Sequence, residues 1–219
     1  MARRSDDGGT EPPGRRERKK ERTRRELVDA AVRLFAERGF EETTVEDISN
    51  AADVSPRTFF RYFRTKEEVL FSDHPRTVEV LKRTLEERPE DERILRSVAA
   101  GMAAVARTFE EDPEAYLTRV RLDIQSPTVA ASALHIQQDW ARVIARFVAA
   151  RLGVDPRRDL RPGLVSGAAV AAFRAAVTRW ASGRGSEDAA ALVDEAFQLL
   201  GSGLGLPGSG PGTGGTGTR

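Results

Sequence analysis

The sequence predicts an all-α protein with two domains, and three observations support this prediction. Apolar residues recur at helical spacing along most of the 219 residues, and strand-like alternation is nearly absent. Cap and stop residues divide the chain into about nine helices. Short helices near the N-terminus give way, near residue 66, to longer helices rich in Ala, Leu and Val. We therefore expect a small N-terminal domain followed by a larger helical domain.

Composition distinguishes four segments of the chain. Residues 1–16 contain few apolar side chains and residues 203–219 are rich in Gly, so both ends are predicted to be disordered tails. The small domain is placed at residues 17–66 and the larger helical domain at residues 67–202.

Four helices are predicted in the first part of the chain. The first has an apolar face and ends at Gly39. Thr44 is placed to cap the second helix and Ser55 the third, where Pro56 occupies a first-turn position that needs no N–H. The capping-box pattern at residues 65–68 begins the fourth.

The larger domain is predicted to contain six longer helices. Their approximate ranges are 76–88, 90–110, 113–124, 127–152, 158–182 and 187–200. Asp112 and Ser126 each precede a proline and are typical N-cap residues, whereas Gly153 and Gly183 are typical of helix ends.

Composition also excludes several classes of protein. The chain has 35 Lys and Arg against 34 Asp and Glu, and it contains no cysteine, which removes disulfide scaffolds, thiol nucleophiles and Cys-ligated metals. His74 and His135 lie far apart and lack the spacing of metal ligands, and no phosphate-binding Gly-rich loop or serine-centred motif is present. We expect no cofactor, no metal and no enzymatic activity.

The distribution of apolar residues bears on location. No apolar stretch approaches the ~18 residues that a membrane span requires. The first residues lack the apolar segment of a secretory signal. Together with the absence of cysteine, this pattern predicts a soluble, cytoplasmic protein.

Residues 44–63 have the form helix, tight turn, helix. Val45 and Ile48 are spaced to face inward on the first of these helices, and Phe59 and Phe63 on the second. This spacing lets two short helices pack at a steep angle while the second presents its outer face to a partner. The major groove of DNA admits such a helix.

Basic residues favour DNA as that partner. Arg57 and Arg61 share the outer face of the second helix, and Arg can bind guanine through two hydrogen bonds. Upstream, residues 15–25 carry eight basic and two acidic side chains. An isolated basic segment is more often a solvated helix end, but beside a helix-turn-helix it can follow the phosphate backbone or enter the minor groove. The combination predicts binding to double-stranded DNA.

Residues 23–71, TRRELVDAAVRLFAERGFEETTVEDISNAADVSPRTFFRYFRTKEEVLF, resemble the DNA-binding domain of TetR-type transcriptional regulators. The matching motifs are A-x-x-L-F-x-x-x-G-F, T-T-V-x-x-I, V-S-x-x-T and Y-F-x-x-K. The resemblance implies a homodimeric, ligand-responsive regulator. It implies most directly a repressor that binds a palindromic operator. A small, lipophilic or acyl-type effector would release this repressor from the operator.

The resemblance also implies which side chains contact DNA. They are Arg24, Thr44, Pro56, Arg57, Thr58, Arg61, Tyr62 and Lys66. Residues 56–58 and Arg61 are expected at base edges. Thr44, Tyr62 and Lys66 are expected at phosphates, with a pure N-cap as the alternative role of Thr44 and core packing as that of Tyr62.

The sequence departs from the family pattern at three places. Asp53 replaces the usual turn glycine, and Asp tolerates the left-handed conformation better than most residues. Phe60 stands where the family often has a tyrosine whose hydroxyl meets a phosphate. Arg57 and Arg61 are bulkier and more basic than many residues at those sites, so the operator of a relative is not expected to transfer.

In the family, the larger domain dimerises through its last two long helices and holds a ligand pocket between the others. Residues 163–182 are rich in small side chains, and Leu192, Ala196 and Leu199 give the last helix an apolar stripe. We expect these helices to pair with their twofold mates in a four-helix interface. Pro75 is expected to break or kink the helix that links the two domains.

Residues 116–153 and the R-L-G-V-D-P-x-x-D-L-R-P stretch at 151–162 resemble an actinobacterial TetR subgroup described as having an acyl-CoA-like ligand domain. The candidate ligand-binding residues are Phe109, Tyr116, Arg119, His135, Trp140, Ile144, Phe147 and Phe173. Core packing is an equal alternative for the aromatic members of this set. A helix-turn-helix regulator whose larger domain binds a protein partner or no ligand stays an alternative. A DNA-binding protein without sequence preference is disfavoured because the basic surface is confined to one part of the chain.

Overall fold

The computed structural model describes residues 14–205, so most of each predicted tail lies outside the described residues, at 1–13 and 206–219. Residues 203–205, which were assigned to the C-terminal tail, form a 3₁₀ turn. Within 14–205 the protein has ten α-helices and no strand, which confirms the predicted all-α class. The chain divides into two compact units between Leu70 and Phe71.

The first unit contains four helices: α1 (Arg15–Arg38), α2 (Val45–Ala51), α3 (Pro56–Tyr62) and α4 (Lys66–Leu70). Helix α1 begins at Arg15, so two residues that were assigned to the N-terminal tail are helical. Leu27 and Phe35 on α1, Ile48 on α2 and Phe59 on α3 are almost completely buried, and α2 packs against both α1 and α3. This small core holds the short helices in place.

The turn between α2 and α3 is the tight turn that the sequence predicts. Asp53 has a φ of 52°, which confirms that it adopts the left-handed conformation usual for glycine at this position. The Val54 N–H donates to the Ser49 carbonyl at 3.0 Å. Thr44 and Ser55 accept hydrogen bonds from backbone N–H groups and cap the two helices.

The second unit contains six helices and two short 3₁₀ turns. The helices are α5 (His74–Glu86), α6 (Ile94–Arg107), α7 (Pro113–Gln125), α8 (Pro127–Leu152), α9 (Arg161–Ser182) and α10 (Ala189–Gly201), and the turns are Thr108–Glu111 and Gly203–Gly205. Helix α9 packs against α8 and α10, and α6 packs against α5 and α10. One continuous apolar core lies between them.

Two helices begin three or more residues later than the sequence predicts. Helix α6 starts at Ile94 rather than at residue 90, because Pro89 begins a turn in which the Glu92 N–H donates to the Pro89 carbonyl at 3.2 Å. The guanidinium of Arg151 holds this turn through hydrogen bonds to backbone carbonyls, including that of Pro89 at 2.6 Å. Helix α9 starts at Arg161 rather than at residue 158, after the turn at residues 155–158.

Pro75 occupies the first turn of α5, where the missing N–H needs no partner. The preceding helix ends at Leu70, and a turn at residues 71–73 follows. The chain is therefore interrupted between α4 and α5 as expected, but the interruption precedes the proline rather than falling at it.

Helix α9 has an exposed stripe of mostly small residues. Its members are Leu164, Gly167, Ala171, Ala175 and Thr178. The apolar stripe expected on the last helix is divided, because Leu192 is buried in the core of its own unit whereas Leu199 is 46% exposed. Only part of the predicted dimerisation surface on α10 is therefore available to a partner.

Candidate DNA-binding surface and ligand cavity

Helix α3 presents a basic face opposite its buried face. Phe59 is fully buried and Phe63 nearly so, with their ring centroids 5.7 Å apart. Arg57 and Arg61, four residues apart on the other side, are exposed. A seven-residue helix oriented in this way offers two guanidinium groups to a groove.

Phe60 is also exposed on α3, next to Arg61 in the chain and three residues after Arg57. Its side chain is 57% exposed, although its ring edge contacts the Phe59 ring at a centroid distance of 5.5 Å. A phenyl group cannot donate a hydrogen bond to a phosphate. It can make apolar contact with a thymine methyl group in the major groove.

Two of the predicted DNA contacts, Thr44 and Thr58, also have local hydrogen-bond partners. Thr44 forms a capping box with Asp47, since its hydroxyl donates to the Asp47 carboxylate at 2.6 Å. These hydrogen bonds, with help from the charge of Arg38, lower the pKa of Asp47. The Thr58 N–H donates to the Ser55 hydroxyl at 3.2 Å. The predicted cap role of Thr44 is thus present, and its phosphate contact stays a prediction.

Tyr62 and Arg24 pack beside charged or aromatic neighbours. The Arg61 guanidinium lies 5.2 Å from the centroid of the Tyr62 ring, and that of Arg24 lies 5.4 Å from the Phe63 ring. Cation–π contact orients each guanidinium. Residues 15–25, the basic segment, form the first turns of α1 and are largely exposed.

Lys66 differs from the expectation of a phosphate ligand. Its ammonium group donates to the carbonyls of Phe40 at 2.6 Å and Thr43 at 3.0 Å, and it lies 4.2 Å from the Phe40 ring centroid. The side chain is half-buried and ties the start of α4 to the loop between α1 and α2. Lys66 therefore has a structural role, and a phosphate would have to compete with these carbonyls.

The second unit contains a cavity between α7, α8 and α9, with an internal volume of about 100 Å³. Five of the eight predicted ligand-binding residues line it: Phe109, Tyr116, Arg119, Trp140 and Phe173. Four of these are aromatic, and they contact one another. The Phe109 and Tyr116 rings stack at 4.1 Å, and the Trp140 ring meets the Phe173 ring edge to face at 5.1 Å.

The other three predicted residues lie elsewhere. Ile144 is fully buried in the core, so the core alternative describes it. His135 is exposed and does not line the cavity. Phe147 packs under the Arg151 guanidinium, 4.9 Å from its ring centroid, beside the turn that begins α6. Ile144 and Phe147 share a helical face with Trp140 but do not line the cavity with it. Helix α8 has 26 residues and contacts several neighbours along its length, so residues on one face meet different surroundings.

Sequence reasoning missed several lining residues that helical spacing could have found. On α7 the cavity face continues from Tyr116 to Val120 and Asp123, and on α8 it includes Ala133, Ile136 and Gln137. On α9 it includes Val170, Arg174 and Val177. Each of these residues except Arg174, which directly follows Phe173, lies three, four or seven positions from a predicted one. Phe71 and His74, at the start of the unit, had no such signal.

A polar network lies at one end of the cavity. The Asp73 carboxylate accepts a hydrogen bond from the Tyr116 hydroxyl and lies 2.8 Å from the Arg119 guanidinium. The Arg119 guanidinium also stacks on the Tyr116 ring, 4.5 Å from its centroid. These contacts join the turn before α5 to helix α7.

Two ionisable groups of the cavity are shifted by burial. Burial lowers the pKa of His74, with Asp73 opposing the shift and Arg119 adding to it. Burial raises the pKa of the Asp123 carboxyl, and the charge of Arg174 opposes that shift. The site therefore favours a neutral imidazole near pH 7.

Two further kinds of feature, a membrane-spanning helix and a metal-binding group, are absent from residues 14–205. No helix there is long and apolar enough to cross a membrane. No group of three or more His, Asp or Glu side chains in that range is placed to hold a metal ion.

Comparison with known proteins agrees with this geometry. Residues 27–72 match the family model of bacterial regulatory proteins of the tetR family, and residues 92–205 match the MftR C-terminal domain. The chain is 37% identical over 169 residues to the HTH-type transcriptional regulator TcmR of Streptomyces glaucescens, covering 74% of this chain and 73% of TcmR. It is 30% identical over 189 residues to MftR of Mycobacterium tuberculosis, covering 85% of this chain and 93% of MftR.

A solved structure shares the fold. The transcriptional regulator FadR from Bacillus subtilis, in complex with stearoyl-CoA, superposes with a TM-score of 0.60 at 21% identity, covering 82% of this chain and 98% of FadR. The exposed basic helix and these matches define a helix-turn-helix transcriptional regulator rather than an enzyme. The chain belongs to the TetR family, with an MftR-type C-terminal domain.

Substitution of Lys66 by Met is expected to lower the free energy of unfolding by about 1–3 kcal/mol, because the carbonyls of Phe40 and Thr43 lose their donor. Denaturant unfolding measures this loss, with the exposed Lys82→Met as the matched control. Unchanged stability together with a weaker salt dependence of DNA binding would instead identify Lys66 as a phosphate ligand.

Proposed function

We propose that this regulator is a homodimer that binds a palindromic operator as a repressor and is released by a small effector bound in the cavity of the second unit. The observation that carries the proposal is that one chain combines an exposed arginine-bearing recognition helix with an aromatic-lined cavity. The predicted DNA contacts and the ligand contacts are part of this proposal.

The DNA-binding role assigns different work to different side chains. Arg57 and Arg61 read base edges, because their guanidinium groups are exposed and can each bind guanine at two positions. The basic start of α1 contributes attraction to phosphates that does not depend on sequence. Phe60 contacts a thymine methyl group rather than a phosphate.

Dimerisation explains how a short helix gains useful affinity. One seven-residue helix reads only a few base pairs, whereas a twofold dimer reads two half-sites about one helical turn apart. The exposed stripe on α9 suits a symmetric interface, since Leu164 is 66% exposed and a Cβ at Gly167 would meet no atom within 4 Å. Small residues allow two such helices to approach closely.

The effector acts through the turn that precedes α5. His74, Tyr116 and Arg119 line the cavity, and Asp73 is held by the last two of them. Only three residues separate α4 of the first unit from α5 of the second. A ligand that alters the hold on Asp73 therefore acts on the segment that leads directly to the DNA-binding unit. It shifts the equilibrium only by its differential affinity for the two states.

A small lipophilic compound fits the apolar lining, and acyl compounds are one class to test because the FadR neighbour was solved with stearoyl-CoA. Reciprocity gives this mechanism a quantitative signature. If the effector weakens operator binding by a given factor, the operator weakens effector binding by the same factor.

The proposal is tested by measuring binding of the full chain to the DNA upstream of its own gene, with a shuffled fragment as control, at two salt concentrations. We expect selective binding that persists at the higher salt, because base contacts are less sensitive to salt than phosphate contacts. The proposal would be contradicted if the chain bound the upstream DNA no more tightly than the shuffled fragment and if no fragment selected across the genome bound more tightly than shuffled DNA either.

Arg57→Ala and Arg61→Ala are each expected to weaken operator binding by about 1–3 kcal/mol and to relax sequence preference at one base pair. Arg158→Ala, at an exposed arginine of the second unit, is the matched control and should leave binding unchanged. Fluorescence anisotropy on the operator and on single-base variants measures both effects. If the two variants lost affinity equally for all sequences, these arginines would be phosphate ligands.

Replacing an operator thymine by uracil removes one methyl group and tests Phe60. At the contacted thymine, the wild type is expected to lose roughly fourfold in affinity, the equivalent of about 0.8 kcal/mol for one buried methyl group. Phe60→Ala should bind the thymine and uracil operators equally. A wild-type protein that is indifferent to uracil at every operator thymine would contradict this assignment.

Leu164→Asp is expected to dissociate the dimer and to weaken operator binding at least tenfold, because a charge would be buried at the centre of the interface. Leu134→Asp, at a leucine of α8 that is 51% exposed, is the matched control. Light scattering after size exclusion measures the mass. A dimer that withstands Leu164→Asp, or a wild-type monomer at micromolar concentration, would rule out this interface.

A further inference from the structure

Unpaired polar atoms are concentrated at the cavity. Among residues 14–205, four buried side-chain polar atoms have no hydrogen-bond partner: Asp73 Oδ1, His74 Nδ1, Arg119 Nε and Trp140 Nε1. Asp73 Oδ1 is ion-paired with the Arg119 guanidinium at 2.8 Å. The other three atoms all belong to residues that line the cavity. Buried polar groups in native proteins almost always find a partner, so this concentration indicates a missing one.

The three atoms differ in what they can bind. The Trp140 indole N–H is a donor only, and its side chain is 8% exposed. The Arg119 Nε–H is also a donor, and its guanidinium is already held by Asp73 and by the Tyr116 ring. His74 Nε2 lies 2.7 Å from the Asp139 carboxylate, so a neutral imidazole donates there and leaves Nδ1 as an acceptor. The residues that line the cavity therefore carry two donors and one acceptor without partners.

The walls and the volume restrict the body of the ligand. Phe109, Tyr116, Trp140 and Phe173 surround the space with aromatic rings in stacked and edge-to-face contact. Aromatic walls suit a flat ring, which can add one more offset or edge contact. The volume of about 100 Å³ is of the order that holds one six-membered ring, since a dry protein cavity of about 150 Å³ binds benzene.

We propose that the cavity binds an aromatic compound that carries both a hydroxyl group and a carbonyl or carboxylate oxygen. The oxygen accepts hydrogen bonds from Trp140 Nε1 and Arg119 Nε, and the hydroxyl donates to His74 Nδ1. This inference rests on the proposed function and names the ligand class of its effector site. The terminal carboxylate or carbonyl of an unbranched acyl compound can accept from the two donors, but such a compound has no hydroxyl to donate to His74 Nδ1, which would stay unpaired.

The test uses the full chain and a defined panel of probes: the three hydroxybenzoate isomers, toluene as a ring without polar groups, and octanoate as an acyl chain. Calorimetric titration and thermal unfolding measure binding of each probe. At least one hydroxybenzoate is expected to bind saturably and more tightly than toluene and octanoate. Toluene or octanoate binding as tightly as the best hydroxybenzoate, or no hydroxybenzoate binding at all, would overturn the proposal.

Two variants remove one donor each. Trp140→Phe keeps a ring but removes the indole N–H, and Arg119→Lys keeps the charge beside Asp73 but removes Nε. Each substitution is expected to weaken the binding of the best hydroxybenzoate by about fivefold to tenfold, as the loss of one hydrogen bond implies. Trp180→Phe is the matched control, because Trp180 is equally buried in the same unit but does not line the cavity. Unchanged affinity in Trp140→Phe would overturn the assignment.

The inference and the proposed function fail in different measurements. If a hydroxybenzoate binds as described but leaves operator affinity unchanged, the ligand class stands and the release mechanism is wrong. If operator affinity responds to octanoate through the same cavity while hydroxybenzoates do not bind, the release mechanism stands and the ligand class is wrong.

Discussion

DNA recognition by this protein depends on burial of Phe59. Helix α3 has seven residues, and isolated helices of that length are not stable in water. Phe59 is fully buried against Phe63, and the caps at Thr44 and Ser55 fix where α2 and α3 begin. Because the inner face is fixed in this way, the outer face carrying Arg57 and Arg61 is presented to a partner at low entropic cost. The hydrogen bonds of Lys66 to its carbonyl partners also help to fix the first unit, because they tie the start of α4 to the loop between α1 and α2.

In the second unit too, a buried core fixes the helices that carry a site. Its core fixes α7, α8 and α9 around a small space, and the ion pair of Asp73 with Arg119 joins that space to the turn before α5. The ion pair is partly buried, with its side chains 19% and 23% exposed, so removing one partner would leave the other charge poorly solvated. Polar atoms without partners at the cavity are the expected mark of a site that is completed by a ligand.

Local rules predicted most of the fold and part of the sites. Helix ends followed cap residues and glycines, as at Thr44 and Gly153, and Asp53 took the left-handed turn. Tertiary contacts were not predictable from spacing alone. Spacing predicts a phosphate contact for Lys66, but it cannot show that carbonyls of a loop distant in sequence accept hydrogen bonds from its ammonium group. Phe147 shares a helical face with Trp140, but spacing cannot show that its ring packs under Arg151 instead of lining the cavity. His74 was missed because its partner Asp139 is 65 residues away.

The most direct test of a dimeric, sequence-selective regulator is selection from random double-stranded DNA with the full chain at physiological salt, followed by sequencing. The structure predicts enrichment of an inverted repeat with guanines in each half-site, its two halves about one helical turn apart, as two copies of α3 require. No enriched sequence, or a single half-site without symmetry, would contradict the account.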